Sequence, residues 1–428
     1  IAAADRNGSP YTALRIDHEN VSMDAHPQNN TIRTSGLLRK IEPVTLRLLT
    51  RLEDGSRTQL NWLPAVAWNR CDGFLAGFAI HNSVLPLRDW EWMAMPLWST
   101  NRSQLAGVGR ASFKKGKGRW EVQVRKFATE GIESVYNMDF LRSSLGYTHR
   151  FNRNPGNPLK STLSLALIDV RERAQGIGID PGFAPQPDFT RQAFRLNYSI
   201  VHQRGNLKQS GEVRVTAAGA ETLLSAYGHS KHSFFGSPIL PELIDQSIAL
   251  EAIWRGRVEV NRKGRGWDWR VYAGKSFGSV WVYPLMSAGI TGNKDNLKDH
   301  VFLGRNSVGL LSRIISRQQG GLTMMDVPYS SNSDAIQTRV DQMASARISR
   351  DLTKRISVYG GGLIGTGVEL ASVGLEMNLS FVKLQLPVAQ WLNGFTTFNF
   401  NGRTAFGIVL NLEDLSPYQL LRSGRLLN

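Results

Sequence analysis

His229 and His232, in "HSKH", are spaced so that both could touch one metal ion. A catalytic zinc needs three protein ligands, and no carboxylate or further histidine stands at a telling distance, so the pair reads as a solvated loop. His18 and Glu19 open "HENVS", but Ser22 stands where an H-E-x-x-H helix carries its second histidine. "GGGLIG" puts Gly360, Gly362 and Gly365 in the G-x-G-x-x-G pattern. A dinucleotide site then needs a helix whose N-terminus meets the pyrophosphate. The chain instead continues into "VELASVGLEMNL", where Ala371, Val373, Leu375, Met377 and Leu379 alternate with Ser372, Gly374, Glu376 and Asn378. That is a strand, and glycines there ease close packing or bending of a sheet. No G-x-S-x-G elbow occurs. The residues offer no catalytic group, no metal ligands and no cofactor site.

Arginine is the remaining chemical feature. Arg125, Arg142, Arg195, Arg214, Arg255, Arg257, Arg270 and Arg403 lie on the polar parity of alternating segments. Lining an open pore, they would favour anions. Paired with Glu121, Glu212, Glu251 and Glu259, they would close the lumen instead. The sequence leaves both alternatives standing.

The elements that carry these arginines have a period of two. In "RWEVQVRKF", Trp120, Val122 and Val124 oppose Glu121, Gln123 and Arg125. In "IALEAIWRGRVEV", Ile248, Leu250, Ala252, Trp254, Val258 and Val260 oppose Glu251, Arg255, Arg257 and Glu259. Such alternation makes a β-strand with a different solvent on each face. About sixteen strands are predicted, fourteen being the alternative count: 58–69, 74–82, 89–99, 104–114, 119–128, 138–151, 160–172, 191–203, 206–218, 246–262, 266–277, 337–350, 354–364, 368–379, 382–389 and 398–412. Many reach the roughly 9–11 residues of a tilted membrane strand. Their connections alternate: "KGKG", "GN", "GRG" and "DLTK" are short, whereas 173–190, 219–245 and 278–336 are long. Tryptophans gather towards strand ends, as interfacial rings do. The expected fold is an all-β, transmembrane, antiparallel outer-membrane barrel with short periplasmic turns and long extracellular loops. A soluble β-sandwich would explain the alternation, but not the strand lengths or the asymmetry of the loops.

Residues 1–57 read as a periplasmic linker or extended arm, 58–412 as the barrel and 413–428 as a periplasmic tail. Within the barrel, 278–336 reads as a long loop that plugs the lumen or binds a partner. Bulk properties agree. The 428 residues carry a formal charge of +16, but the cations are scattered and no zinc-finger spacing, basic helix or RNA-binding sheet motif appears, which argues against nucleic acid. Cys71 is the single cysteine, so no disulfide forms within the chain. No apolar run approaches a membrane helix, and a mean hydropathy of −0.25 is compatible with a barrel, in which only alternate residues meet lipid. The start "IAAADRNGSP" reads as that of a mature or partial chain.

The stretch "NWLPAVAWNRCDGFLAGFAIHNSVLPLRDWEWMAMPLWSTNRSQLAGVGRASF" (61–113) resembles the C-terminal barrel appended to some bacterial aminopeptidase-N-like (gluzincin) metallopeptidases. The shared elements are a strand ending in Asn69, Asp72-Gly73-Phe74, Gly77, Asn82, the Pro86 loop, a strand ending in Pro96, and Gly107 to Gly109. "WRVYAGKSFG" (269–278), "HVFLGR" (300–305), "QQGG" (318–321), "FGIVLNLEDLSPYQLLR" (406–422) and "HPQNNTIRTSGLLRK" are similar too. The resemblance implies residence in the outer membrane of a Gram-negative bacterium. In that family an N-terminal peptidase domain carries the zinc and glutamate motif. This sequence lacks those residues, so no catalytic position carries over: either that domain lies outside the chain or the protein is a barrel-only relative.

The function expected is that of a non-catalytic barrel, anchoring a peptidase-like domain or serving as a subunit of an envelope complex. The alternative is a channel for small anionic solutes. Lipid and lipopolysaccharide are the expected surroundings, with a protein partner meeting residues 1–57 or 278–336.

Overall fold

A chain whose alternate residues are apolar must bury or pair every backbone N–H and C=O while showing that face to hydrocarbon, and closing the sheet on itself does both. In the computed structural model the strands succeed one another round a closed barrel. The structure describes residues 13–16, 31–33, 44–48, 58–69, 71–83, 88–130, 137–151, 156–174, 188–223, 245–260, 264–278, 286–287, 297, 318–319, 322–323, 339–379, 382–392, 395–398 and 407–410. Arg403, the histidine pair, the tail 413–428 and most of 278–336 lie outside them.

From Thr58–Asn69 to Val382–Leu392 the wall is antiparallel throughout, and the strands fall within a few residues of their expected places. The longest, Asp188–Arg204 and Leu207–Leu223, have 17 residues each, so they project beyond the roughly 9–11 residues needed to cross hydrocarbon. Their two-residue connection turns on Gly205, whose φ of 56° suits a residue without Cβ. Gly116, with φ 58°, does the same between Gln104–Lys115 and Gly118–Glu130.

Two parts of the wall differ from expectation. Of the last strand, expected as one piece over 398–412, the described residues are Phe395–Phe398 and Gly407–Leu410, which pair in different registers with opposite ends of Val382–Leu392. The same neighbourhood holds a register shift at Val373/Gly374, opposite Pro387, a residue that cannot donate to the ladder and belongs at such irregularities. The other difference lies inside the stretch expected to be an arm. Val44–Leu48 joins the barrel between the last strand and Thr58–Asn69, and runs parallel to the latter from Val44↔Thr58 to Leu48↔Trp62. Its sequence "VTLRL" has the period of two; its shortness hid it.

Facing obeys parity. Leu165, Leu196, Val215 and Leu250 are paired in sequence across four strands and make one outward row. Val44, Leu46, Leu48, Val66, Val122, Val124, Leu167 and Ile248 are exposed on the same outer side. Trp90, Trp120 and Trp254 are exposed towards the short-turn end, and Trp98 at the other, as interfacial girdles require. Val124 lies near the middle of Gly118–Glu130 and faces outward. Val124→Arg should destabilise the reconstituted barrel by about 2–4 kcal/mol, the cost of arginine at the lipid midplane. Gln123→Arg, one residue away and inward, should cost well under half of that. Urea titration of both variants in lipid vesicles measures the difference, and equal costs would reverse the facing.

The inner wall as candidate functional site

The inward parity is where polar chemistry collects. At the end that carries the long connections, Arg102 pairs with Asp72 at 3.2 Å and with Asp139, and donates to Gln104 Oε1 at 2.6 Å. Further down, Arg110 meets Glu121 at 2.5 Å, and Arg119 meets Glu91 at 3.2 Å and Ser112 Oγ at 2.7 Å. Arg191 pairs with Glu172. Towards the short-turn end, Arg257 gathers Asp268 at 2.5 Å and Asp351 at 2.7 Å, with Glu259 at 3.9 Å. Arg347 pairs with Glu376 and stacks its guanidinium over the Tyr359 ring at 4.1 Å.

The eight arginines expected to face inward divide among several environments. Arg125 and Arg142 stand directly opposite each other. Arg142 is buried and donates from Nε to the Leu297 carbonyl at 2.8 Å and from Nη1 to Ser144 Oγ at 3.1 Å. Arg195 lies on the inward face opposite Ala166 and Thr216. Arg214 pairs with Glu212 at 2.5 Å and Glu251 at 3.6 Å. Arg257 is paired as above. Arg255 and Arg270 stand opposite each other, with no ion-pair partner among the described residues. Arg403 lies outside the described residues. Arginines in ion pairs and arginines without one among the described residues thus occupy different arcs of the wall.

Sequence reasoning missed several inward arginines, five of them in the ion pairs above. Arg119 and Arg347 carried a legible signal, since "RWEV" and "ARIS" alternate them with apolar neighbours. Arg110 and Arg191 sit among small or polar neighbours that blur parity, and Arg102 lies in a turn. Which carboxylate each would meet could not be read, because partners come from strands far away in sequence.

The inner side is not uniformly wet. Leu75, Leu97, Ala106, Val108, Phe127 and Phe140 form a buried apolar cluster. A second one joins Ile168, Val170, Ala193 and Ala218 to Leu297, which comes from the long connection and is 1% exposed. The base of that connection is tied down as well. Asp341 accepts the Thr366 hydroxyl, and this hydrogen bond holds its carboxyl below the usual carboxylate range.

A closed sheet with an apolar band outside and arginine–carboxylate pairs within has one habitat. The chain is an outer-membrane-type β-barrel. No family model matches it, and neither does any curated protein sequence. Among solved structures it is similar to CdiB from Escherichia coli, at 12% identity and a TM-score of 0.41 over 81% of this chain and 60% of that one. BamA from Haemophilus ducreyi lacking POTRA domains 1-3 is similar at 10% identity and 0.43, over 82% and 69%. The copper transporter OprC is similar at 10% identity and 0.41, over 85% and 58%. The chain thus spans about three fifths of the CdiB it matches. These likenesses assign no function to the barrel.

Proposed function

We propose that the chain is a non-catalytic barrel of the bacterial outer membrane that holds a peptidase-like domain, or another envelope protein, at the periplasmic face. The observation that carries this is the parallel strand Val44–Leu48. Because it runs beside Thr58–Asn69 in the same direction, residue 44 lies at the short-turn end, which is periplasmic in such barrels. Polypeptide continuing from residue 43 towards the N-terminus would be gripped by backbone hydrogen bonds in the wall rather than trail from a free end. The peptidase-like character of the cargo rests on the resemblance over 61–113 and the matching stretches after it. The connection 278–336 is a second surface for a partner, and Leu297 favours its also serving as a plug.

Limited proteolysis of the detergent-solubilised protein tests the grip. Cleavage is expected before residue 44, while 44–48 stays protected with the barrel. Protease added outside intact cells should leave residues 1–43 untouched. Ready cleavage within 44–48 would remove the anchor.

The alternative, a channel for small anionic solutes, draws support from Arg255 and Arg270. Planar-bilayer recording separates the two functions. The anchor predicts no steady conductance, since Leu297 and the paired charges occupy the inner wall. A persistent anion-selective conductance would replace the anchor with a pore.

A further inference from the structure

Arg255, Arg270 and Arg347 form an unbroken row across three adjacent strands, paired Arg255↔Arg270 and Arg270↔Arg347. All three share the inward parity. Directly opposed residues lie about 4.5–5.5 Å apart at Cα, and like charges so placed repel. Arg270 is the most constrained: its Nε and Nη1 are shut off from solvent and have no hydrogen-bond partner among the described residues. A buried cation is expected to be paired, because desolvation without compensation costs several kcal/mol.

The nearby carboxylates are committed elsewhere. Arg214 holds Glu212 at 2.5 Å, and Glu251 takes the Tyr272 hydroxyl at 3.1 Å with Arg214 at 3.6 Å. Asp268 and Asp351 close on Arg257, and Glu376 on Arg347. Arg255 is exposed on the lumen side and lies towards the short-turn end of its strand, which leaves a way in.

We propose that Arg255 and Arg270, flanked by Arg347, bind one small free oxyanion of the phosphate class inside the barrel. Two planar guanidinium forks can each offer a pair of N–H donors to a tetrahedral oxyanion. Chloride, with a single centre, cannot use that geometry as well, so phosphate or sulfate is favoured over halide. The side chains point away from the bilayer, which makes the ligand a solute rather than a lipid headgroup. The site does not depend on what the barrel anchors, and an occupied site need not conduct.

The test uses the full chain in phosphate-free detergent solution, titrated with inorganic phosphate, and with chloride at matched ionic strength. Calorimetry and the thermal midpoint of unfolding give the two readouts. Phosphate is expected to bind saturably and raise the midpoint, as any ligand selective for the native state does; chloride should do neither. Arg255→Gln and Arg270→Gln should each weaken phosphate binding by about tenfold or more, the loss of charged hydrogen bonds. Without phosphate, Arg270→Gln should melt no lower than the native chain, since it removes a cation standing between two others. Arg350→Gln, near Arg347 but outward over the Trp267 ring, should leave the affinity unchanged. Absence of saturable phosphate binding, as when a carboxylate of this chain already fills the site, overturns the proposal. So does unchanged affinity in both Arg255→Gln and Arg270→Gln, or an equal loss in Arg350→Gln. If Arg270→Gln does not fold, Arg255→Gln decides alone, because its exposed side chain is not needed for packing.

Discussion

Glu376→Ala is expected to destabilise the barrel by about 3–5 kcal/mol, the cost of stripping one member from a buried ion pair. Glu376 is 2% exposed at its side chain and Arg347 is 12% exposed. Arg347 also lies over Tyr359, which is itself buried. Removing the carboxylate leaves the guanidinium without its charged partner and with little water to replace it. Glu376→Gln keeps an acceptor and should lose less. The informative variant is the double one, Arg347→Met with Glu376→Leu. It removes both charges and keeps the volume, so most of the lost stability should return. Unfolding in urea, followed by the mobility difference between heated and unheated protein, would report all three. A double variant as weak as Glu376→Ala would mean that packing around Tyr359, rather than unpaired charge, sets the cost.

The same pair shows how far the sequence could be read. Glu376 was legible as an inward residue from "VELASVGLEMNL", because Val373, Leu375 and Met377 fix the opposite parity. Its partner could not be read, since Arg347 lies two strands away and their meeting depends on barrel register and shear, which no local pattern encodes. Strand existence and facing were local properties, so they came through along most of the wall. Val44–Leu48 escaped because five residues give too little alternation to separate a strand from an arm. The different registers of Phe395–Phe398 and Gly407–Leu410 against Val382–Leu392 escaped for the opposite reason, since the alternation of the sequence gives no sign of a shift.

The lumen shows the same division between local and distant information. Parity assigned arginines inward, but whether each meets a carboxylate, a carbonyl or another arginine is set across strands. Arg142 meets the Leu297 carbonyl, 155 residues away in sequence. Arg270 meets like charges on both sides. A wall that holds many of its arginines in ion pairs and leaves Arg255 and Arg270 without one among the described residues is a poor uniform selectivity lining. It is better suited to holding something in place, whether a segment of its own chain or a single bound anion.

Asp72→Ala should be comparably damaging, at about 3–5 kcal/mol, although Asp72 sits in a turn, where substitutions are usually cheap. Its side chain is 1% exposed. One oxygen accepts from Arg102 Nη1 at 3.2 Å, and the other accepts the Ala128 N–H at 2.8 Å. Ala128 lies where Gly118–Glu130 has outrun its register with Gln104–Lys115, the last recorded pairing there being Gly107↔Lys126. The carboxylate thus serves a backbone donor that the ladder leaves over. The Asp72 carbonyl accepts from Ser99 Oγ at 2.7 Å and from the Asn101 N–H at 3.1 Å, and Arg102 continues to Asp139. One residue therefore joins two hairpin turns to the rims of two further strands. Asp72→Asn, which keeps one acceptor, should cost roughly half as much. Amide hydrogen exchange would localise the damage: the Ala128 N–H, held by the carboxylate, should lose protection in Asp72→Ala and keep more of it in Asp72→Asn, whereas the Asn101 N–H, held by the Asp72 main-chain carbonyl, should stay protected in both. If Asp72→Ala costs under about 1 kcal/mol, as an exposed ion pair would, the cluster is a decoration of the rim and the rim is held by the sheet alone.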